Sequence, residues 1–384
     1  MPTNQITMFS KYLNSTLWLI CIAVILSSCG LNSTSTKHKN IEQWNLIPLK
    51  YATGFTIEKY QNKTRVTIKN PSDTSKIIKQ VILVSTSDKS TLRDDEIAIP
   101  SQKIICSSST QLAYFLELKA YQNIVGINSS RYLHNEEMNK LVTDKKIARI
   151  GKEGLFNKEL IVGLEPDVIM VSPFKTGGYN AMKNLEINLV PMAAHKEMTP
   201  LAKAEWIKMV GLFVGKEKRA NEIFNEIDKK YNELKKMASG TSEKPTIFSG
   251  KLIGDKWYVP GGNSFYAHYF KDAGASYIFK NNKTGAEPMD FEAVFETAQN
   301  ADYWRVLTSS VVGFNKKMFL SEDRRYDDFK AFKENHILVC NIREIPFYEQ
   351  NPVKPHVILA DYIFHFHREL LPKDYQPTFW NVLE

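Results

Sequence analysis

Apolar positions crowd together near the start of this chain and only later fall into a rhythm. Residues 17–26 form an unbroken apolar run, too short to cross a bilayer as a helix, which takes about 20 residues. Ser27, Ser28 and Cys29 follow it. Residues 31–40 are rich in Ser, Thr, Asn and Lys and predict a flexible tether. From Trp44 onward apolar and polar positions begin to alternate, and the segments 51–57, 64–68 and 81–84 predict strands of an antiparallel β segment.

Past residue 100 the pattern changes. Short apolar runs, at 104–106, 124–127, 167–171 (apolar from Val168) and 189–191, are separated by helical patterns such as 111–118 and 159–164. Strands without a polar face argue for a parallel sheet covered on both sides. A long amphipathic stretch then interrupts the alternation. Within 216–237, Ala220, Ile223, Phe224, Ile227, Tyr231 and Leu234 recur at spacings of three and four, opposite Glu226, Lys229, Lys230, Glu233 and Lys236. This predicts a rod of about 30 Å, stopped at Ser239-Gly240-Thr241. Beyond it, predicted strands at 246–248, 257–259, 303–307 and 337–340 alternate with predicted helices at 265–272, 291–298 and 356–370.

The expected fold is therefore α/β: two Rossmann-like lobes with parallel central sheets joined by one long backbone helix, preceded by an antiparallel β segment. The pattern shifts divide the chain into a signal segment at 1–28, a tether at 29–43, a β-rich segment at 44–99, a first α/β lobe at 100–211, the linking helix at 212–239 and a second α/β lobe at 240–384. Apolar residues make up 43% of the chain, enough for two substantial cores.

Charge narrows the choice of partner. There are 50 Lys and Arg against 42 Asp and Glu, spread along the chain without a basic cluster. That surplus suits an anionic small ligand and gives no footing for nucleic acid. Cys106 and Cys340 sit in apolar strand-like runs in different lobes and read as two separate buried thiols, although an oxidising compartment leaves a disulfide open. The eight histidines form no metal set. His365 and His367 point to different faces of a helix, and neither His-Glu-x-x-His nor Cys-x-x-Cys occurs. No Gly-x-Ser-x-Gly elbow marks a hydrolase, so no catalytic residue and no cofactor is expected. An exported hydrolase and a glycan-binding surface lipoprotein are the alternatives.

One device occurs once in each half. Asn157 precedes Glu159 by two positions, and Asp290 precedes Glu292 by two. A carboxylate in a first helical turn is explained by free backbone N–H groups and the positive helix end. Its repetition also suggests surface carboxylates arranged about a pseudo-two-fold.

Lys11, the apolar run and Leu26-Ser27-Ser28-Cys29 read as a secretory signal and resemble the lipobox of bacterial lipoproteins, in which Cys29 would be the mature N-terminus and carry the lipid. Several longer pieces stand in order: the strand and loop from Ile104 to Thr110, Glu159 ahead of Glu165-Pro166-Asp167-Val168-Ile169, the stretch from Thr199 to Lys208, the rod helix, Val259-Pro260-Gly261-Gly262-Asn263-Ser264, Phe291-Glu292-Ala293-Val294 and Val357-Ile358-Leu359-Ala360-Asp361-Tyr362-Ile363. Together they resemble the class III periplasmic substrate-binding lipoproteins that serve ABC importers of iron–siderophores, haem and cobalamin, and the β segment resembles the Bacteroidetes version. The resemblance covers roughly residues 100–384.

It implies a binding protein rather than an enzyme, lipid-anchored in the periplasm and expected to be a monomer. Its small-molecule ligand would be an iron chelate, haem or corrinoid, and its protein partner the ABC importer permease. Glu159 and Glu292 would meet arginines of that permease, and the rod helix would permit only small closing motions.

A ligand between two such lobes meets the loops at the carboxyl edges of the parallel strands. In the first lobe these offer Ser108, Ser109, Arg131, Tyr132 and His195. In the second they offer Trp257, Tyr258, Asn263, Arg325 and Tyr348. Arginine and aromatic side chains suit flat anionic chelates, and His195 or Tyr132 could ligate haem iron axially. Plainer readings stand beside these: Gly261-Gly262 as a simple turn, Trp257 as core, Arg324-Arg325 with Asp327-Asp328 as a solvated charge cluster. Relatives often carry an Asn-Asp-Tyr-Trp-Glu-like run where this chain has residues 343–351, so their ligand preference does not transfer.

Overall fold

The computed structural model describes residues 43–152, 154–174 and 179–384; the expected signal segment, tether and Cys29 lie outside them. Residues from Trp44 to Glu384 form one compact unit.

Alternating burial builds the N-terminal sheet. Asn45–Ile47, Phe55–Tyr60, Lys63–Asn70 and Asp73–Ser85 pair antiparallel in sequence order. Phe55, Ile57, Val66, Ile68, Val81 and Leu83 point inward, as a period of two requires. The fifth strand corrects the expectation of a purely antiparallel segment: Glu96–Ile99 pairs parallel to Asp73–Ser85.

Two buried carboxylates fasten this sheet to the first lobe. Glu205, fully buried, accepts the backbone N–H of Lys50 at 2.9 Å, Tyr51 at 2.7 Å and Ala52 at 2.8 Å, and the Lys208 ammonium lies 2.7 Å away. Glu197 accepts from Thr53 and Gly54 backbone nitrogens and from Trp206 Nε1 at 2.9 Å. At Gly54 a Cβ would stand 2.7 Å from the Trp206 ring and 2.7 Å from Pro71, so only glycine lets the peptide lie this close.

The first-lobe sheet is parallel throughout, ordered Leu189–Pro191, Val168–Val171, Ile104–Cys106, Ile124–Ile127, Ala148–Arg149. Its faces feed different apolar clusters. Val168 and Met170 join the main core, while Ile169 and Val171 pack with Ile105, Ile161 and Met182. This double burial is why these strands carry no polar alternation.

The rod helix spans Glu217–Ser239, about 35 Å at 1.5 Å per residue. It buries Ala220, Ile223, Phe224, Ile227 and Tyr231, the stripe its period predicts. The second-lobe sheet follows: Ser276–Tyr277, Thr246–Ser249, Tyr303–Thr308 and Ile337–Asn341 are parallel, and Asn381–Val382 closes the edge antiparallel. A separate antiparallel sheet of Leu252–Ile253, Lys256–Pro260 and Ala286–Met289 lies beside it. Cys106 and Cys340 are buried and unpaired, and burial pushes both thiols up, Cys340 to about 12. Among the described residues no helix is long and apolar enough to cross a membrane.

Candidate functional site

Each lobe presents the carboxyl edge of its sheet to the other, and a cavity of about 320 Å³ opens between them. Thr110, His195 and Lys203 line it from the first lobe; Ser264, Phe265, Tyr266, Tyr348 and Asn351 line it from the second. A small pocket beside it shares Thr110, His195 and Lys203 and adds Ser108 and Ser172. Ser108 and Ser172 follow the strands Ile104–Cys106 and Val168–Val171, which are neighbours whose connections leave in opposite directions. That is the crevice where open α/β sheets take ligands.

Lys203 is the charged centre of the cavity. Helix Pro200–Glu205 begins at Thr199, whose hydroxyl accepts the Ala202 N–H at 3.2 Å, and this fixes the helix so that Lys203 reaches across. Its Nζ donates to Asn351 Oδ1 at 2.7 Å and lies 4.7 Å from the Phe265 ring centroid. Burial pushes the ammonium down to about 8, so near neutral pH it is a cation that protonates and deprotonates within reach of physiological conditions.

A second set of contacts ties the lobes together beside the cavity. Glu349, buried on helix Phe347–Gln350, accepts the backbone N–H of His134 at 3.0 Å and of Asn135 at 3.1 Å. Burial raises its carboxyl above the usual range, against the pull of those two donors. His134 Nε2 lies 3.1 Å from the Ile342 carbonyl, and the rings of Tyr132 and Tyr348 meet edge to face at 5.9 Å.

The sequence-selected ligand residues divide. His195 and Tyr348 line the cavity and Ser108 the pocket beside it. Tyr132 reaches the cavity only through Tyr348, and Arg131 lies over Tyr132 at 5.2 Å. Ser109, Tyr258 and Asn263 are not among the lining residues. Trp257 is placed differently from expectation. It is fully buried against Phe248, Trp304 and Phe329, with Nε1 donating to the Ser249 carbonyl at 3.1 Å, so its indole is core. Arg325 also lies away from the cavity: its Nη1 is 3.1 Å from Glu292 Oε1, its guanidinium sits 3.8 Å from the Phe291 ring centroid, and Nε and Nη2 fork onto Asp323.

Glu159 and Glu292 occupy the first turns of helices Lys158–Gly163 and Phe291–Ala298. Each helix leads back into a parallel strand of its lobe, so its N-terminus lies at the carboxyl edge of the sheet, beside the cleft. Both carboxylates are exposed. The capping differs: Asn157 Oδ1 accepts the Leu160 N–H at 2.9 Å, whereas Asp290 turns its carboxylate to Lys256 Nζ at 2.7 Å. Among the described residues no group of three His, Cys, Asp or Glu is arranged to hold a metal ion.

Sequence reasoning missed Lys203, Tyr266 and Asn351. Lys203 stands in the stretch 199–208 that carries the family resemblance, yet a lysine among alanines on a helix signals only a solvated face.

The family described as periplasmic binding protein matches residues 104–343. An uncharacterized lipoprotein of Methanocaldococcus jannaschii is 26% identical over 363 residues, covering 83% of this chain and 85% of the relative. Among solved structures, a periplasmic heme binding protein from Pseudomonas aeruginosa aligns with a TM-score of 0.59 at 15% identity, covering 74% of this chain and 98% of that one. A TroA-like periplasmic binding protein, FepB, from Veillonella parvula aligns with a TM-score of 0.53 at 21% identity, covering 72% and 88%.

Proposed function

The chain belongs to the periplasmic binding protein family, and on that premise we propose that it captures a metal chelate (an iron–siderophore, haem or a cobalt corrinoid) between its lobes and delivers it to the permease of an ABC importer. The observation that carries this reading is the cavity shared by both lobes, with the Lys203 ammonium in its wall and bonded across to Asn351. Its volume of about 320 Å³ is at the lower end for ligand sites, and a cation beside the Phe265 ring, in a cavity that Tyr266 and Tyr348 also line, suits a flat anionic solute. Solved structures of similar fold include a heme binding protein and an Fe3+-hydroxamate transport protein, which supports the ligand class.

Glu159 and Glu292 are the docking carboxylates in this reading, one per lobe, each exposed at the cleft-side end of its helix. Arg325 holds Glu292 in place for that contact. Cys29 is the lipid attachment site, residues 29–43 are the tether, and the folded part works outside the cytoplasm. His195 is the ligand residue best placed to approach a bound metal centre.

Native mass spectrometry of protein purified from its own cells tests the ligand class. A retained mass with the isotope pattern of iron, or with the absorbance of a corrin or haem, is the expected result. A retained sugar or peptide overturns the chelate reading while leaving the family assignment intact.

A further inference from the structure

Arg305 stands at the ligand crevice of the second lobe, one aromatic layer behind the cavity. It lies on strand Tyr303–Thr308, in register with Ser249, the last residue of Thr246–Ser249. The chain leaves these two neighbouring strands in opposite directions, toward Ser276–Tyr277 and toward Ile337–Asn341, which makes the gap between them the switch point where α/β sheets bind ligands. The first-lobe pocket occupies the equivalent crevice.

Arg305 is 4% exposed. Its guanidinium lies 3.9 Å from the Tyr266 ring centroid and 4.5 Å from that of Trp380, and Nη1 donates to Ser249 Oγ at 3.1 Å. Nε and Nη2 have no hydrogen-bond partner, and no carboxylate among the described residues pairs with the side chain. Those two nitrogens share one edge of the guanidinium, the edge that forks onto a carboxylate. The same chain uses this edge twice elsewhere: Arg65 sets Nε and Nη2 on Glu58 at 2.9 and 2.7 Å, and Arg325 sets them on Asp323 at 3.0 and 2.7 Å. The Tyr266 and Tyr362 phenols offset part of the cost of burying this cation, but neutral phenols are not a counter-ion, and the open fork suits an anion from outside the chain. Tyr266, whose ring covers the guanidinium, is also a wall of the cavity, as is Tyr348, which feels the Arg305 charge.

We propose that Arg305 is a second anion-recognition residue of the cleft beside Lys203, its Nε–Nη2 edge taking a carboxylate of the solute once the Tyr266 ring swings aside. This deepens the chelate-binding reading and rests on it for the identity of the solute, not for the chemistry of the fork.

Two measurements on the full chain separate the claims. In the first, the Arg Nε–H resonances of nitrogen-15-labelled protein are followed while benzoate or its neutral analogue benzamide is added, the Arg305 signal being identified by its loss in Arg305→Lys. Benzoate is expected to move that signal and benzamide to leave it in place. In the second, hemin is compared with hemin dimethyl ester, which has the same ring with both carboxylates blocked. Wild type is expected to prefer hemin by roughly 10- to 100-fold, the worth of a charge-assisted fork. Arg305→Lys, which keeps a cation between the rings but loses the planar fork, is expected to lose that preference while melting as a folded protein.

An unmoved Arg305 signal together with equal affinity for hemin and its ester overturns the proposal, and leaves the chelate reading standing because hemin still binds. A benzoate response without binding of any iron chelate upholds Arg305 as a carboxylate site and removes the chelate reading.

Discussion

Lys203 sets the charge of the cleft, and its titration gives the first prediction. Burial holds the ammonium at about 8, below the ordinary value near 10.4. An anionic solute beside it favours the protonated form, so binding takes up a proton when the pH lies above that value. Affinity for hemin is therefore expected to be highest below about pH 8 and to fall as pH rises, by roughly tenfold between pH 7 and pH 10. Lys203→Met is expected to bind more weakly at neutral pH and with a flatter profile. Identical slopes in the two proteins would remove Lys203 from the site. The residue scale also shows where sequence reading fails. Trp257 and Tyr258 are neighbours on strand Lys256–Pro260, and adjacent strand residues point to opposite faces. The two side chains therefore cannot line one pocket: Trp257 is core and Tyr258 lies at the surface, 45% exposed.

At the scale of elements, the carboxylates of Glu197 and Glu205 reinforce the apolar joint between the N-terminal sheet and the first lobe, where Phe55 packs on Trp206 at 4.8 Å. Glu205→Ala leaves three backbone N–H groups and the Lys208 ammonium without their acceptor. Breaking a buried charged network of this kind costs about 3–5 kcal/mol. The expected outcome is a lower melting temperature together with proteolytic cleavage near Lys50, the segment these groups hold. Resistance to protease equal to wild type would contradict the anchoring role. The central parallel strands and the rod helix were legible in the sequence because double burial and a period of 3.6 residues leave strong marks, whereas the two-residue edge strands Ala148–Arg149 and Ser276–Tyr277 leave none. Among the elements that were not legible, two show why. Ala286–Met289 contains Pro288, which argues against a strand, yet it pairs at the edge of a small sheet, where proline is tolerated. Glu96–Ile99 pairs parallel to a strand across an intervening loop, and nothing local encodes that direction.

The whole molecule is two lobes on one rod, with an exposed carboxylate on each. Reversing both in Glu159→Lys/Glu292→Lys places like charges against the permease arginines of the proposed complex, which costs several kcal/mol across an interface. Uptake is expected to stop while solute affinity and melting temperature stay near wild type; transport by a well-folded double mutant would reduce both residues to helix-end charges. Cys29→Ser is expected to release the protein from membranes, and unchanged pelleting would contradict the anchor. Legibility at this scale was uneven for a physical reason. The carboxylates sit in local helix signals, Asn157 before Glu159 and Asp290 before Glu292. The cleft, in contrast, is assembled from residues far apart in the chain, such as Lys203 with Asn351, whose meeting no local pattern records.

The central claim is that the cavity between the lobes holds a solute, and calorimetric titration of the purified protein at neutral pH tests it most directly. With hemin, ferrioxamine B and cyanocobalamin as probes, at least one is predicted to bind one to one with a dissociation constant between micromolar and nanomolar, about −8 to −12 kcal/mol. That binding is predicted to weaken at least roughly tenfold when Tyr348 and Lys203 on opposite walls are both replaced by alanine, a loss of about 1.4 kcal/mol or more. Flat titrations with all three, or tight binding that the double replacement leaves untouched, would contradict the account.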